Sequence, residues 1–388
     1  MRRNPALLQQ AIAFHQDGRV PPNTNVLDLD AITLNARAFN AEASRLGLTP
    51  FAMTKQIGRN PDAALAIAAG GITRFVGVDL DDCLAAHAAG LEAGHVGHLV
   101  QIPSHSAERA AELHPEYWTV FSIDKAVEAG RAALKQGRVQ KVLARIHAPG
   151  DRFYPGHEGG FEASGIKQVA DQLDAVAGVE FGGVVTFPAT LFDSEAGKAK
   201  STPNLATLTR ALEDLRAAGR KDVQVNAPGT TSTSVLSTLA EAGATQVEPG
   251  HGLTGTTPLH AAEDQIEVPA VTYVSEVSHI HNDRAYVFGG GLYVDPVLGS
   301  TATHALVVPS GGELADAVEL PVEMPAPEAI DYYATIPLEG NRIATGDTVL
   351  FGFRVQAFVT RSHTMGISGL STNNPSLAAR VPATGLSL

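Results

Sequence analysis

Three short segments of this 388-residue chain place reactive or ligand-cradling residues directly after runs that read as β-strands. Lys55 follows the apolar run FAMT (51–54). A partly desolvated lysine at the mouth of a fold is suited to forming a Schiff base with a carbonyl. Taken alone, it reads better as a solvated lysine at a strand end. Asn226-Ala-Pro-Gly-Thr-Thr-Ser-Thr233 gathers Gly229, Thr230 and Thr231 where a helix would begin, and the N–H groups of such a start cradle phosphates. An ordinary hydroxyl-rich cap explains that segment equally well in isolation. Glu248-Pro-Gly-His-Gly-Leu-Thr-Gly adds a carboxylate, and Gly250, His251 and Gly252 allow close backbone approach to a ligand. An amine, two phosphate-friendly loops and a carboxylate between them together describe a pocket for pyridoxal 5'-phosphate (PLP), with the lysine carrying the cofactor.

These segments need a scaffold that brings strand ends together. Between about residues 50 and 260, short β-branched runs alternate with Ala/Leu-rich amphipathic ones, the rhythm of repeated βα units. Strands are expected at 51–54, 74–78, 97–101, 117–122, 141–147, 182–187, 222–226 and 245–249. Helix punctuation supports the division: Asn60-Pro61 opens a helix that stops at Gly70-Gly71, Ser104 caps another, and Thr202-Pro203 opens one ending at Gly219. Eight units over this length suit a closed (β/α)8 barrel better than an open sheet, and barrels carry their chemistry at the carboxy ends of strands. After residue 265 the pattern changes to alternating segments such as VTYVSEVSHI and TVLFGFRVQAFVT, which predict a β domain. The early run VLDLD (26–30) is expected to join it, giving a barrel over 31–264 and a β domain over 265–388 with strand 26–30.

Composition narrows the partners. With 28 Lys plus Arg against 41 Asp plus Glu, a formal charge of −13 and no basic run, nucleic acid and anionic membrane are not expected. Cys83 is the single cysteine, which excludes an internal disulfide and a clustered-cysteine metal site and suits a reducing, cytoplasmic compartment. The first residues turn polar too soon for a secretory signal, and Gly, Pro or charge interrupts every apolar run short of a spanning helix.

MTKQIGRNP, NAPGTTST and EPGHGLTGTTPLH resemble the fold type III PLP enzymes, the alanine-racemase-like family, and within it the YhfX-like branch. The likeness covers nearly the whole chain. It implies a PLP-binding barrel with a carboxy-terminal β domain, a small amino acid as substrate, and Lys55 as the Schiff-base lysine. The residue facing the pyridine nitrogen is arginine in alanine racemase and glutamate in the barrel decarboxylases, and here it is Glu248. A carboxylate there keeps the ring nitrogen protonated and makes the cofactor a stronger electron sink. The resemblance also implies a second base from the β domain of a partner subunit, hence a head-to-tail homodimer. Tyr286 is the candidate, with Tyr273, Tyr293 and His281 as rivals; packing is the ordinary role of tyrosines on such strands.

Arg145 and Arg152 flank the end of the fifth strand and could meet the cofactor's phenolic oxygen or a substrate carboxylate, Arg152 being the counterpart by approximate position. His279 and His281, two apart on a strand, could bind a metal, although a surface or packing pair is the preferred reading. The leading function is a PLP-dependent amino-acid racemase. The alternatives are a PLP lyase of decarboxylase or aldolase type, favoured by Glu248 but opposed by the lack of a β-domain cysteine, and a PLP carrier without turnover.

Overall fold

The computed structural model describes residues 2–289, 303–325, 332–352 and 356–385. Nine segments form one parallel sheet path from Thr49–Pro50 through Gln246–Val247, Gln224–Asn226, Val179–Val185, Gln140–His147, Tyr117–Val120, Glu92–Val96 and Arg74–Val76 to Ala52–Met53. The two end segments are halves of one strand separated only by Phe51, whose N–H donates to the Val247 carbonyl, so the sheet closes as an eight-stranded barrel. Side chains alternate across it. Phe51, Met53, Val76, Tyr117, Leu143 and Val185 fill the interior, while Ala52, Phe75, Trp118, Val142 and Val184 pack outward under the helices.

The third strand departs from expectation. It runs over Glu92–Val96, not 97–101. Gly97 takes a φ of +71° and ends the strand, because a side chain there would press on the Thr119 carbonyl. Gln101 then ties the following loop, donating to the carbonyls of Gly97 (2.7 Å) and Thr119 (3.0 Å). Helix starts vary in their chemistry too. Asn60 caps Pro61–Ala69 by accepting from the Ala63 N–H, as its type predicts. Ser104 caps nothing; it opens a 3-10 turn over Ser104–Ser106 and donates to Glu128. Thr202 precedes Pro203–Ala217, but its hydroxyl donates to the carbonyls of Pro188 and Ala189.

Strand Thr24–Asp28 lies inside the second sheet, antiparallel to Val271–His281 and parallel to His363–Ser368. Helix Pro5–Gln16, capped by Asn4, seals one face of that sheet with Leu7, Leu8, Ile12 and Phe14 against Val26, Val274, Leu350 and Ile367. The turn Ala357–Val359 returns to the barrel, where Phe358 packs against the interior residues. No helix among the described residues is long and apolar enough to cross a membrane.

Candidate active site

The first barrel strand ends at Met53, and Lys55 opens a 3-10 turn, Lys55–Ile57, that Gly58 closes with a φ of +60°. The base of this turn is locked. Thr54 donates to the buried Asp82 carboxylate (2.8 Å), which also takes the Arg59 guanidinium (3.3 Å) and the Val78 N–H (3.0 Å). Lys55 is half-buried at the edge of a cleft, with its ammonium 5.9 Å from the centre of the Phe358 ring.

Glu248 follows the eighth strand and lines the same cleft. One carboxylate oxygen accepts from His95 Nδ1 (2.8 Å) and Asn226 Nδ2 (2.9 Å). The other, Oε2, stands 3.2 Å from His98 Nε2 in a geometry short of a hydrogen bond. His95 in turn meets Thr119 through Nε2. Burial presses His98 down to about 3, so its ring is neutral. Burial would raise the Glu248 carboxyl, but the facing imidazoles and the His95 and Asn226 hydrogen bonds outweigh it and hold the group below its ordinary value. The charge at this spot is therefore the carboxylate's.

The loops after the seventh and eighth strands form the far wall, where Gly229, Thr230, Thr231, Gly250 and His251 line the cleft. Their glycines answer to packing within the protein. A Cβ at Gly229 would lie 2.4 Å from the Thr190 carbonyl, at Gly250 2.5 Å from Gln56 Oε1, and at Gly252 2.6 Å from the Thr231 carbonyl. The Gly229 N–H donates within the loop to Thr231 Oγ1 (3.2 Å), and the Thr230 N–H donates out of it to the Thr190 carbonyl (3.1 Å). The short helix His251–Thr254 starts here, and the first N–H groups of any helix lack intrahelical partners.

Of the two arginines, the fold brings Arg145 inward and leaves Arg152 outside. Arg145 is 1% exposed and donates to the carbonyls of His157 (3.3 Å) and Phe187 (3.1 Å), between the rings of Phe121 and Phe153. Burial lowers it to about 10, with Glu248 and Asp151 acting against the shift. Arg152 is exposed and tied to Asn204 only through its backbone. Tyr286 lies in the β domain, stacked on His279 at 4.5 Å beside Tyr333, and none of these three lines the cleft of its own chain. Tyr273 is a core residue whose hydroxyl donates to Asn23 and the Gly289 carbonyl. Tyr293 lies outside the described residues. No acidic or cysteine ligand gathers at His279 and His281 among the described residues.

His95 and His98 escaped the sequence reading because the third strand was placed too late. Together with Glu248 they bring ligand atoms within 4.8 Å of one another, the donor set of a zinc site. Both nitrogens of His95 are already engaged, however, so the cluster reads as hydrogen-bonded support for the carboxylate. Buried polar atoms without partners concentrate at this cleft: Gln56 Oε1, both His98 nitrogens and Glu248 Oε2. Each costs about 1–3 kcal/mol unless a ligand meets it. Such a set fits PLP: the unpartnered Glu248 Oε2 would meet a protonated ring nitrogen, Lys55 the aldehyde, and the wall carrying Thr230, Thr231 and His251 the phosphate.

The family profile "Alanine racemase, N-terminal domain" matches residues 27–258, and "YhfX-like, C-terminal domain" matches 272–377. The uncharacterised protein YhfX of Escherichia coli (strain K12) is 38% identical over 388 residues, covering 100% of this chain and 98% of that protein. Among solved structures, D-threonine aldolase from Filomicrobium marinum superposes with a TM-score of 0.68 at 17% identity, covering 94% of this chain and 96% of the other. Alanine racemase of Clostridium difficile 630 gives 0.63 at 14%, covering 93% and 98%. D-threo-3-hydroxyaspartate dehydratase from Delftia sp. HT23 gives 0.64 at 17%, covering 94% and 98%. The chain belongs to the alanine-racemase-like family, in its YhfX-like branch.

Proposed function

We propose that this protein is a PLP-dependent enzyme that removes the α-proton of a small amino acid, with racemisation as the leading reaction. The observation that carries the reading is Glu248 Oε2, a buried carboxylate oxygen with no hydrogen-bond donor, in the cleft that Lys55 also lines. Bound there, PLP would supply an electron sink for the substrate's α-carbon. Lys55 would attach it, Glu248 would hold the proton on its ring nitrogen, and His95 with Asn226 would keep Glu248 ionised and oriented. Phe358 and the loops after the seventh and eighth strands would limit water at the reacting carbon.

A lyase is the second reading, favoured by the carboxylate at 248. Incubating PLP-loaded protein with L- and D-amino acids in deuterated water separates the two. A racemase exchanges the α-hydrogen and keeps every carbon, a lyase releases carbon dioxide or an aldehyde, and a carrier does neither. The racemase reading extends to a cytoplasmic homodimer in which the β domain of a second copy closes the cleft and brings Tyr286 to it, since Tyr286 does not line the cleft of its own chain.

A further inference from the structure

The loop from Ala148 to Gly160 is fastened at many points. At its far end Gly160, with a φ of +116°, packs so tightly that a Cβ would lie 2.4 Å from the Arg145 carbonyl, and strand Phe161–Glu162 pairs back onto Ile146 and His147. At its near end Asp151 accepts from the Ala148 N–H (2.9 Å) and the Thr207 hydroxyl (2.8 Å). The tip is a turn with Pro155 and Gly156 at its centre, closed by the His157 N–H on the Tyr154 carbonyl (2.9 Å), and a φ of +82° at Gly156 suits type II.

What this framework presents is one imidazole. His157 stacks on Phe187, with ring centres 6.0 Å apart and planes 29° from parallel, and Phe187 lines the cleft with Lys55. The buried Arg145 guanidinium reaches the backbone carbonyls of both stacked residues. A charged side chain is rarely buried without a carboxylate partner. Here it fixes the stack, with Phe187 in the cleft lining and His157, a largely exposed residue, packed against it.

We propose that His157 is a proton-transfer group of the Lys55 cleft, supplied by the same chain and positioned by Arg145, which accepts a proton from the bound amino acid at a ring nitrogen and returns it within the turnover. The inference rests on the PLP reading and adds a group to it, independently of what a second copy contributes through Tyr286. Partial burial lowers the His157 pKa, Arg145 and Lys55 push the same way, and Glu158 opposes them; the rings of Tyr154 and Phe187 pack against it. The imidazole is neutral at pH 7 and available as a base.

The test uses full-length protein labelled with 13C-histidine, with and without PLP. The His157 signal, identified by its loss in His157→Gln, is expected to titrate below 6.5 and to move when PLP is added. In the loaded protein His157→Gln is expected to lose about 10²-fold or more in α-hydrogen exchange of alanine, serine, threonine or aspartate, mainly in kcat, with the pH profile altered. A His157 signal that titrates at the ordinary value and ignores PLP overturns the proposal, as does unchanged exchange in the variant. Borohydride fixation on Lys55, measured on the same sample, is read separately. Its failure counts against the cofactor, whereas fixation beside an unresponsive His157 counts against the histidine alone.

Discussion

His98 Nε2 stands 3.2 Å from Glu248 Oε2, each side chain 1% exposed, in the cleft that Lys55 shares. The neutral ring does not cancel the carboxylate's charge and makes no hydrogen bond to Oε2, so Glu248 remains the negative group of the site. That relationship makes stability depend on pH in a definite direction. The folded pKa of His98 is depressed to about 3 from 6.5, so between those values the unfolded chain binds a proton that the folded chain does not. Stability therefore falls as pH drops from 6.5 towards 3, by about 1.4 kcal/mol per pH unit from this residue. The Glu248 carboxyl, held below its ordinary value, adds loss of the same sign at the acid end. Denaturant titrations from pH 7 to 4 should show the slope, and His98→Asn should flatten it. Equal slopes in both proteins would remove His98 as the cause.

Lys55 should carry PLP. Borohydride reduction followed by peptide mass spectrometry is expected to place the pyridoxyl group on Lys55, because among the described residues it is the lysine that lines the cleft. Lys55→Ala should abolish fixation and activity but leave the melting temperature close to that of the parent, since its half-exposed side chain belongs to no core cluster. Pyridoxyl on another lysine would defeat the assignment.

Glu248→Gln keeps the shape of the site and removes its charge. The amide still accepts at one atom, but it cannot hold a proton on a ring nitrogen as a carboxylate does. We expect cofactor still fixed on Lys55 and α-hydrogen exchange slower by about 10²–10³-fold, the usual cost of losing one preorganised electrostatic group. Unchanged exchange would reduce Glu248 to a structural partner of His95 and Asn226.

Arg145→Met tests the anchoring of the loop. Two carbonyls lose a charged donor, worth about 1.5–3 kcal/mol each when made, while methionine keeps contact with Phe121 and Phe153. Amide exchange measured by mass spectrometry should speed up over residues 148–160 and change little in the barrel strands. A loop as protected as the parent's would show that its other ties suffice.

Lys55, Glu248 and the threonine loop were legible in the sequence because each directly follows a strand that its β-branched or apolar residues announce. His95 was hidden by its own strand, Glu92-Ala-Gly-His-Val96, whose glutamate, alanine and glycine do not look like strand residues. The strand forms because it is buried between two neighbours, and so tertiary context overrides propensity. Placing the strand at 97–101 cost both His95 and His98. Sequence position favoured Arg152 over Arg145, and only the path of the loop shows that Arg145 is the one the barrel swallows. The helix Pro5–Gln16 carries its own signal in Asn4-Pro5, an N-cap followed by proline.

The last prediction concerns a second copy. Tyr286 sits in the aromatic cluster of the β domain with His279 and Tyr333, and its own chain's cleft is lined by other residues. If the β domain of one copy completes the cleft of another, two inactive variants should rescue each other. A Lys55→Ala chain retains Tyr286 for its partner, and a Tyr286→Phe chain retains Lys55. In a mixed head-to-tail dimer one cleft then has both groups and the other has neither. Random reassortment of equal amounts makes half the dimers mixed, each with one complete cleft of two, so about one quarter of parental activity should return. The mixture is prepared by co-denaturation and refolding, its size is measured by light scattering, and its activity is compared with each variant refolded alone. A mixture no more active than the better single variant, or a fully active monomer, would show that Tyr286 does not act across a dimer.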